Sequence, residues 1–285
     1  MKNAEKMNVS NFSKLVVITG SDSGIGKSLV DNILSKKGYT IATSYLDDDP
    51  FEKQPNIHSR KMDLRVSDEI DGFIQYVKDL CQNGSRIVAV IANAGVALGG
   101  PAENLPISLY KECFEINYFG AVRIIQAFIP ELIQSKGKII VNGSLAGKIA
   151  LPFLSPYAST KFALEGFCDS LRREMSPYGI KTILLEPAAV ATPIWNKAKA
   201  QDISFVEEKY LKSLNAFRDN FIEGGNSGMD AGVAASIIAG ILEKKNPKSR
   251  YIIAKDRIKS NVMIHIPSFV IDKAVVKMFK MDYGK

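Results

Sequence analysis

Six short apolar runs, at residues 15–19, 40–43, 87–92, 138–142, 181–185 and 250–254, are rich in Val and Ile and alternate little with polar positions. A strand with one wet face alternates; a run that stays apolar marks a strand buried on both faces. A weaker run at 57–62 stands just before Asp63. Between the runs, residues 26–36, 68–83, 108–135, 156–176 and 230–244 repeat their apolar positions at helical spacing. Strand and helix alternating in this way predict an α/β fold, a doubly wound parallel sheet with helices on both faces, as a single domain over residues 14–258. No repeat or linker divides it.

Two segments depart from that rhythm. Residues 193–228 hold nine large apolar side chains, Ile194, Trp195, Phe205, Tyr210, Leu211, Leu214, Phe217, Phe221 and Ile222, and predict one or two short helices set over the sheet as a substrate lid. Beyond residue 259 the chain reads as a basic amphipathic extension: Val270, Ala274 and Met278 form one row, Ile271, Val275 and Phe279 the next, with Asp272, Lys273, Lys277 and Lys280 opposite. Such a helix suits packing on the body or on a partner subunit, and equally peripheral contact with an anionic membrane surface. Residues 1–13 mix Lys2, Glu5 and Lys6 with Asn and Ser, lack the apolar core of a secretory signal, and read as a loose leader.

Charge sharpens the picture at the C-terminal end. The chain of 285 residues carries +7, yet residues 244–285 hold 11 Lys and Arg against 3 Asp and Glu, or +8, and the other 26 basic and 27 acidic residues sum to −1. A nucleic-acid-binding body spreads its basic residues over the folded domain. This body is neutral, so nucleic acid is not the expected partner. The uncharged apolar stretch at 232–242 is far shorter than a bilayer span. Cys81, Cys113 and Cys168 have no knuckle spacing, and His58 and His265 have no second ligand nearby in sequence. No metal site and no Ser-His-Asp hydrolase is expected, and buried free thiols point to the cytoplasm.

The chemistry is concentrated in two places. The first run ends in Thr19-Gly20-Ser21-Asp22-Ser23-Gly24-Ile25-Gly26 and enters a helix. Glycines at a strand-to-helix turn let the backbone approach a pyrophosphate, and the helix N-terminus offers free N–H groups and a positive dipole end. By itself the motif is an ordinary βα turn; between a buried strand and a helix it predicts a Rossmann dinucleotide site. The second cluster is Tyr157 and Lys161, four apart on one helix face, with Ser144 thirteen residues earlier and Asn117 a further 27 back. A phenol titrates near 10, so it needs a neighbouring positive charge to act as a base at neutral pH.

In this order the motifs resemble the short-chain dehydrogenase/reductase family from Thr19 to about Asp256: the glycine turn, Asp63 after the third strand, Asn93-Ala94-Gly95 after the fourth, Asn117, Ser144, Tyr157 with Lys161, and Pro187 with Val190 and Thr192. Residues 151–157, 161–167 and 171–174 are similar to the branch containing retinol and 17β-hydroxysteroid dehydrogenases. The resemblance implies that Tyr157 exchanges a proton with an alcohol or carbonyl oxygen while hydride moves to or from a nicotinamide. Ser144 would hold that oxygen, Lys161 would lower the phenol's pKa and bind the nicotinamide ribose, and Asn117 would anchor a water chain. It also implies that Gly20, Gly24 and Gly26, on a turn shared with Ser23 and Ile25, approach the pyrophosphate. Asp63 would meet the adenine edge and Asn93, with Gly95, the ribose region, although Asn93 also suits a plain cap. Pro187, Val190 and Thr192 would lie at the nicotinamide end.

One departure is visible. Relatives place glycine after that proline, and this chain has Pro187-Ala188, so a turn that needs positive φ would be reshaped. NAD is the expected cofactor, with NADP not excluded: Ser44, Tyr45 and Ser23 stand where Arg or Lys would meet a 2′-phosphate, and Asp22 and Asp47-Asp48-Asp49 would repel one. The apolar lid suits a large apolar small-molecule substrate, hydroxysteroid- or retinol-like, though the same residues would also close a small core. The resemblance implies a homodimer or homotetramer through the helices at 108–135 and 156–176. The alternatives are a 3-oxoacyl thioester reductase and a dinucleotide-binding regulator without turnover.

Overall fold

The computed structural model describes residues 12–281. Most of the expected leader and the last four residues lie outside that range. Seven parallel strands form the sheet: β1 (Ser13–Ile18), β2 (Tyr39–Tyr45), β3 (Ile57–Lys61), β4 (Ser85–Ala92), β5 (Lys138–Asn142), β6 (Lys181–Pro187) and, last in the chain, β9 (Arg250–Ile253). Their order is β3-β2-β1-β4-β5-β6-β9. The chain winds outward in both directions from β1 and β4, so a crevice opens between their carboxyl ends, where doubly wound sheets bind ligands.

Alternate residues of each strand feed two cores. Leu15 and Val17 face one side with Val90, Ile139 and Val141, and that side is covered by α2 (Ser67–Gln82), α4 (Gly120–Ser135) and α5 (Ser155–Met175) through Phe73, Phe128 and Leu164. Val16 and Ile18 face the other with Ile91 and Ile140, under α1 (Gly24–Leu34) and α8 (Ala231–Glu243) through Leu29, Ile33 and Ile238. All of these side chains are essentially inaccessible. Both faces are therefore dry, which is why the strands read as unbroken apolar runs.

The expected helix at 108–135 is three pieces. α3 (Ile107–Phe114) passes into a π-helical turn, Glu115–Phe119, before α4 begins. One residue too many for a regular helix is absorbed there, with Asn117 at its centre. In the lid, α6 (Ile194–Lys199) is short, but α7 (Glu208–Asn226) runs for 19 residues, longer than expected, because Leu214, Phe217 and Phe221 give it one continuous apolar row. The lid is tied at its base by two-residue strands, β7 (Val190–Ala191) and β8 (Met229–Asp230), paired Val190↔Met229.

The extension is also not a single helix. α9 (Arg257–Met263), capped by the Asp256 carboxylate on the Lys259 amide at 2.8 Å, precedes α10 (Ser268–Met278), and Pro267 separates the two. A domain boundary at residue 259 would fall inside α9. α10 packs on the lid: Phe279 is 3% exposed and meets Phe217 at 5.3 Å between ring centres, in a small core shared with Phe153, Leu154 and Leu214.

Candidate active site

The glycine turn is held in shape by its neighbours. Gly20 and Gly24 have φ of +68° and +56°, the left-handed region that favours glycine. A Cβ on Gly26 would stand 1.9 Å from the Gly20 carbonyl oxygen and 2.6 Å from Asn93 Nδ2, so no side chain fits. Asn93 Nδ2 donates to the carbonyls of Thr19 at 3.1 Å and Gly20 at 2.8 Å, and the Thr19 hydroxyl accepts from the amides of Asn93 and Ala94. The Asn93 side chain is thus a brace between β4 and the turn, rather than a simple cap. Ser44 completes the brace by accepting from the Gly20 amide at 3.2 Å.

A cleft opens over this turn, and Gly20, Ser23, Gly24, Ile25, Gly26, Asp63, Asn93, Gly95 and Thr192 all line it. Pro187 and Val190 do not. Pro187 is buried at the end of β6, and Val190 packs into the core with its carbonyl accepting from the Trp195 indole at 2.6 Å. Ala188 follows Pro187 without a positive φ and donates to the Ile253 carbonyl at 2.9 Å, so the turn that seemed to demand glycine is made in ordinary backbone space. The Asp63 carboxylate is already gripped by Arg65 at 2.7 Å, which holds it below the usual carboxylate range.

Two cleft residues carried no signal in the sequence. Asn142, at the end of β5, donates to Asn93 Oδ1 at 3.0 Å while its own Oδ1 is buried without a partner. Lys197 arrives from α6 and reaches across to Asp47 at 3.1 Å; it is the only cation among the described residues lining the cleft. A backbone cradle that no Cβ could share, a helix N-terminus, and a buried amide oxygen awaiting a donor together fit a dinucleotide.

Beside the cleft, α5 carries Tyr157 and Lys161. Lys161 Nζ donates to the Asn142 carbonyl at 2.8 Å and lies 5.5 Å from the centre of the Tyr157 ring. Ser144 pulls the phenol's pKa down. Its hydroxyl also accepts from the Ala146 amide at 3.0 Å, capping a single 3-10 turn. The expected fall in the phenol's pKa is not produced by these groups: burial pushes Tyr157 up to about 12, against the pull of Ser144, and burial draws Lys161 down to about 8. Desolvation outweighs the hydrogen bonds and charges acting on either group.

Asn117 is fully engaged. Its Oδ1 accepts from the Val96 amide at 2.8 Å, and its Nδ2 donates to the Val96 carbonyl at 2.9 Å and to Thr160 Oγ1 at 3.1 Å. The side chain ties the loop after β4 to α5. One turn beyond Lys161, Glu165 takes Lys148 at 2.6 Å and Arg250 at 3.0 Å and fastens the helix to the sheet edge.

On the lid side, a second space is lined by Phe153, Leu154, Ile203, Leu214, Phe217 and Phe221, with Arg218 at its margin. Its free volume is about 30 Å³, room for a water molecule and far less than a steroid. Gln201 closes it by bonding both ways to Gly99, its Oε1 accepting at 2.9 Å and its Nε2 donating at 2.6 Å. Phe153 holds φ of +63°, and its carbonyl accepts from the Gly100 amide at 2.8 Å.

A doubly wound sheet with a glycine cradle at its switch point and a Tyr-Lys-Ser group beside it defines an oxidoreductase scaffold for a dinucleotide. The model of the short chain dehydrogenase family matches residues 14–203, and the chain belongs to that family, whose members are NAD(P)-dependent oxidoreductases. It is 30% identical, over 94% of its length and 98% of the relative's, to an NADPH-dependent 3-dehydrocapnine reductase of Ornithobacterium rhinotracheale. It is 32% identical to mouse (Mus musculus) estradiol 17-beta-dehydrogenase 2, over 82% of this chain and 61% of the relative. Among solved structures, a short chain dehydrogenase/reductase from Burkholderia phymatum in complex with NAD superposes with a TM-score of 0.76 at 17% identity, over 93% of this chain and 96% of that one. No helix among the described residues is long and apolar enough to cross a membrane.

Proposed function

We propose that the protein interconverts an alcohol and a carbonyl on a large apolar, hydroxysteroid- or retinol-like substrate, with NAD as its cofactor. The observation that carries this reading is the placing of Tyr157, Ser144 and Lys161 on one flank of the glycine cradle, next to a lid whose inner surface is apolar. The nicotinamide, when bound, accepts or supplies the hydride. Tyr157 Oη passes a proton to or from the substrate oxygen, and the Ser144 hydroxyl holds that oxygen in place. Lys161, still charged at neutral pH, favours the ionised phenol.

Several observations support the finer points. Neither β2 nor the glycine turn offers a cation for a 2′-phosphate, and Lys197 is already paired with Asp47, which favours NAD. The short α6 end of the lid is held to the body by the exposed Lys197–Asp47 pair and by Gln201 on Gly99, so admitting a substrate larger than the present space asks most of that end. The estradiol dehydrogenase likeness favours the same substrate class. Exposed Phe119, in the π-helical turn before α4 and against the rings of Phe114 and Tyr118, and exposed Phe162 on α5 support pairing of two copies through these helices as a homodimer or homotetramer. The three cysteines are free thiols, as suits the cytoplasm.

The test is a panel of hydroxysteroids, retinol, long-chain alcohols and 3-oxoacyl thioesters, each assayed with NAD and NADP by reduced-nicotinamide absorbance. Turnover of an apolar alcohol or ketone, faster with NAD, is the expected result. Turnover of thioesters alone overturns the substrate class.

A further inference from the structure

We infer that the C-terminal helix pair is a docking surface for an anionic lipid bilayer, placed so that the substrate lid lies against the membrane. Of the large hydrophobic side chains left exposed among the described residues, Ile258, Val262, Met263, Phe269, Val270, Val276 and Met278 all fall on α9 and α10. Ile258 is 80% exposed and Phe269 62%. Scattered apolar exposure is ordinary; its concentration on two short adjoining helices marks a surface that meets something.

The charges on the same segment decide what it meets. Residues 255–281 carry six cations, Lys255, Arg257, Lys259, Lys273, Lys277 and Lys280, against Asp256 and Asp272. A two-fold interface between copies would set this patch against itself, so each basic face would meet an equally basic one. An anionic bilayer supplies the opposite charge to the lysines and a hydrocarbon boundary to the apolar side chains between them. Neither helix approaches the length of a span, at 7 and 11 residues, so the contact is interfacial.

The opposite face of α10 is what connects this surface to the site. Val275 and Phe279 pack into the core that lines the lid space, Phe279 against Phe217, and the Lys280 carbonyl accepts from the buried Ser213 hydroxyl at 2.8 Å. One helix therefore has its outer side in the headgroups and its inner side on the wall of the apolar space. A substrate dissolved in the bilayer would reach the lid without crossing water. This last step rests on the proposed apolar substrate; the docking itself does not.

The experiment is flotation of the full chain with vesicles of phosphatidylcholine alone and of phosphatidylcholine with phosphatidylserine, which reads binding without any assay of turnover. The chain should float with the mixed vesicles and stay behind with the neutral ones. Phe269→Ser with Met278→Ser, and separately Lys273→Glu with Lys277→Glu, should each weaken partition by roughly tenfold or more while melting temperature and mass by light scattering stay unchanged. Absence of flotation with mixed vesicles, flotation of both variants like the parent, or a fall in oligomer mass in the variants would overturn the inference, the last by showing that the surface joins two copies. Failure of the substrate panel with flotation intact would remove the apolar substrate and leave the membrane contact standing.

Discussion

Lys161 Nζ stands 5.5 Å from the centre of the Tyr157 ring and is anchored by the Asn142 carbonyl at 2.8 Å, so one strand end fixes the distance between the ammonium and the phenol. On α5 Lys161 is buried and Tyr157 half-buried, and burial works against both charged forms. A phenol held near 12 is fully protonated at neutral pH, so the donor form is always present and the base form is scarce. Tyr157→Phe removes the donor and leaves the packing. Turnover should fall by about 10²–10⁴-fold, while binding of the dinucleotide, followed by calorimetry, stays within about twofold because the cradle is untouched.

The lysine makes a prediction of opposite sign for stability and activity. Its pKa falls from the unfolded value of 10.5 to about 8 in the folded protein. A cation whose pKa is lowered by folding destabilises the native state fully below the folded pKa, and the cost disappears as pH rises from about 8 to the unfolded value, since the unfolded chain binds more protons in that window. Lys161→Met should therefore raise stability at pH 7 by roughly 1–3 kcal/mol, less the lost bond to Asn142, and the gain should vanish by about pH 10. Turnover of the variant should be lost, and that of the parent should decline as pH passes about 8. Denaturant melts at pH 7 and pH 10 read the first effect; a variant less stable at pH 7 would contradict it.

How much of this was legible beforehand differs from element to element. The strands were plain, because sheet faces covered by α1, α4, α5 and α8 leave no polar alternation to confuse the reading. So were the glycine turn and the Tyr157–Lys161 spacing, since each is set by local backbone geometry. Asn117 was found, but its partners were not: the sequence shows an amide in a helix, while its bonds to Val96 and Thr160 exist only because the fold brings those residues together. Lys197 and Asp47 are 150 residues apart, and no local pattern links them. Phe279 looked like one residue of an amphipathic stripe; that it is buried against Phe217 depends on the lid, which no local pattern places beside it.

The Lys197–Asp47 pair yields a prediction about the nucleotide. Both side chains are more than half exposed, so the ion pair itself adds little to stability. Its effect is on which anion Lys197 meets. With Asp47 in place the ammonium is satisfied and a 2′-phosphate would face a carboxylate. Asp47→Ser frees the lysine, and the ratio of kcat/KM with NADP to that with NAD should rise by about tenfold, the scale of a single charge-assisted contact. Lys197→Ala added to it should return the ratio to its starting value. An unchanged ratio in the single variant would show that Lys197 does not reach the ribose.

Phe153 sets two effects against each other. Its φ of +63° is one that a bulky residue adopts only under constraint, here the bond from the Gly100 amide to its carbonyl at 2.8 Å. The left-handed conformation costs about 1–2 kcal/mol for a residue with a Cβ and almost nothing for glycine. The ring is 7% exposed and packs on Phe217 at 5.7 Å between centres, so deleting it should cost about 3–5 kcal/mol. Phe153→Ala loses the packing and keeps the strain; Phe153→Gly loses the packing and releases it. Both variants should be destabilised, with the glycine variant the more stable of the two by about 1 kcal/mol, the reverse of the order at an ordinary position. Urea melts of the two proteins side by side measure that difference directly, and an alanine variant equal to or more stable than the glycine one would mean that the loop before α5 relaxes out of its left-handed turn once the ring no longer holds it.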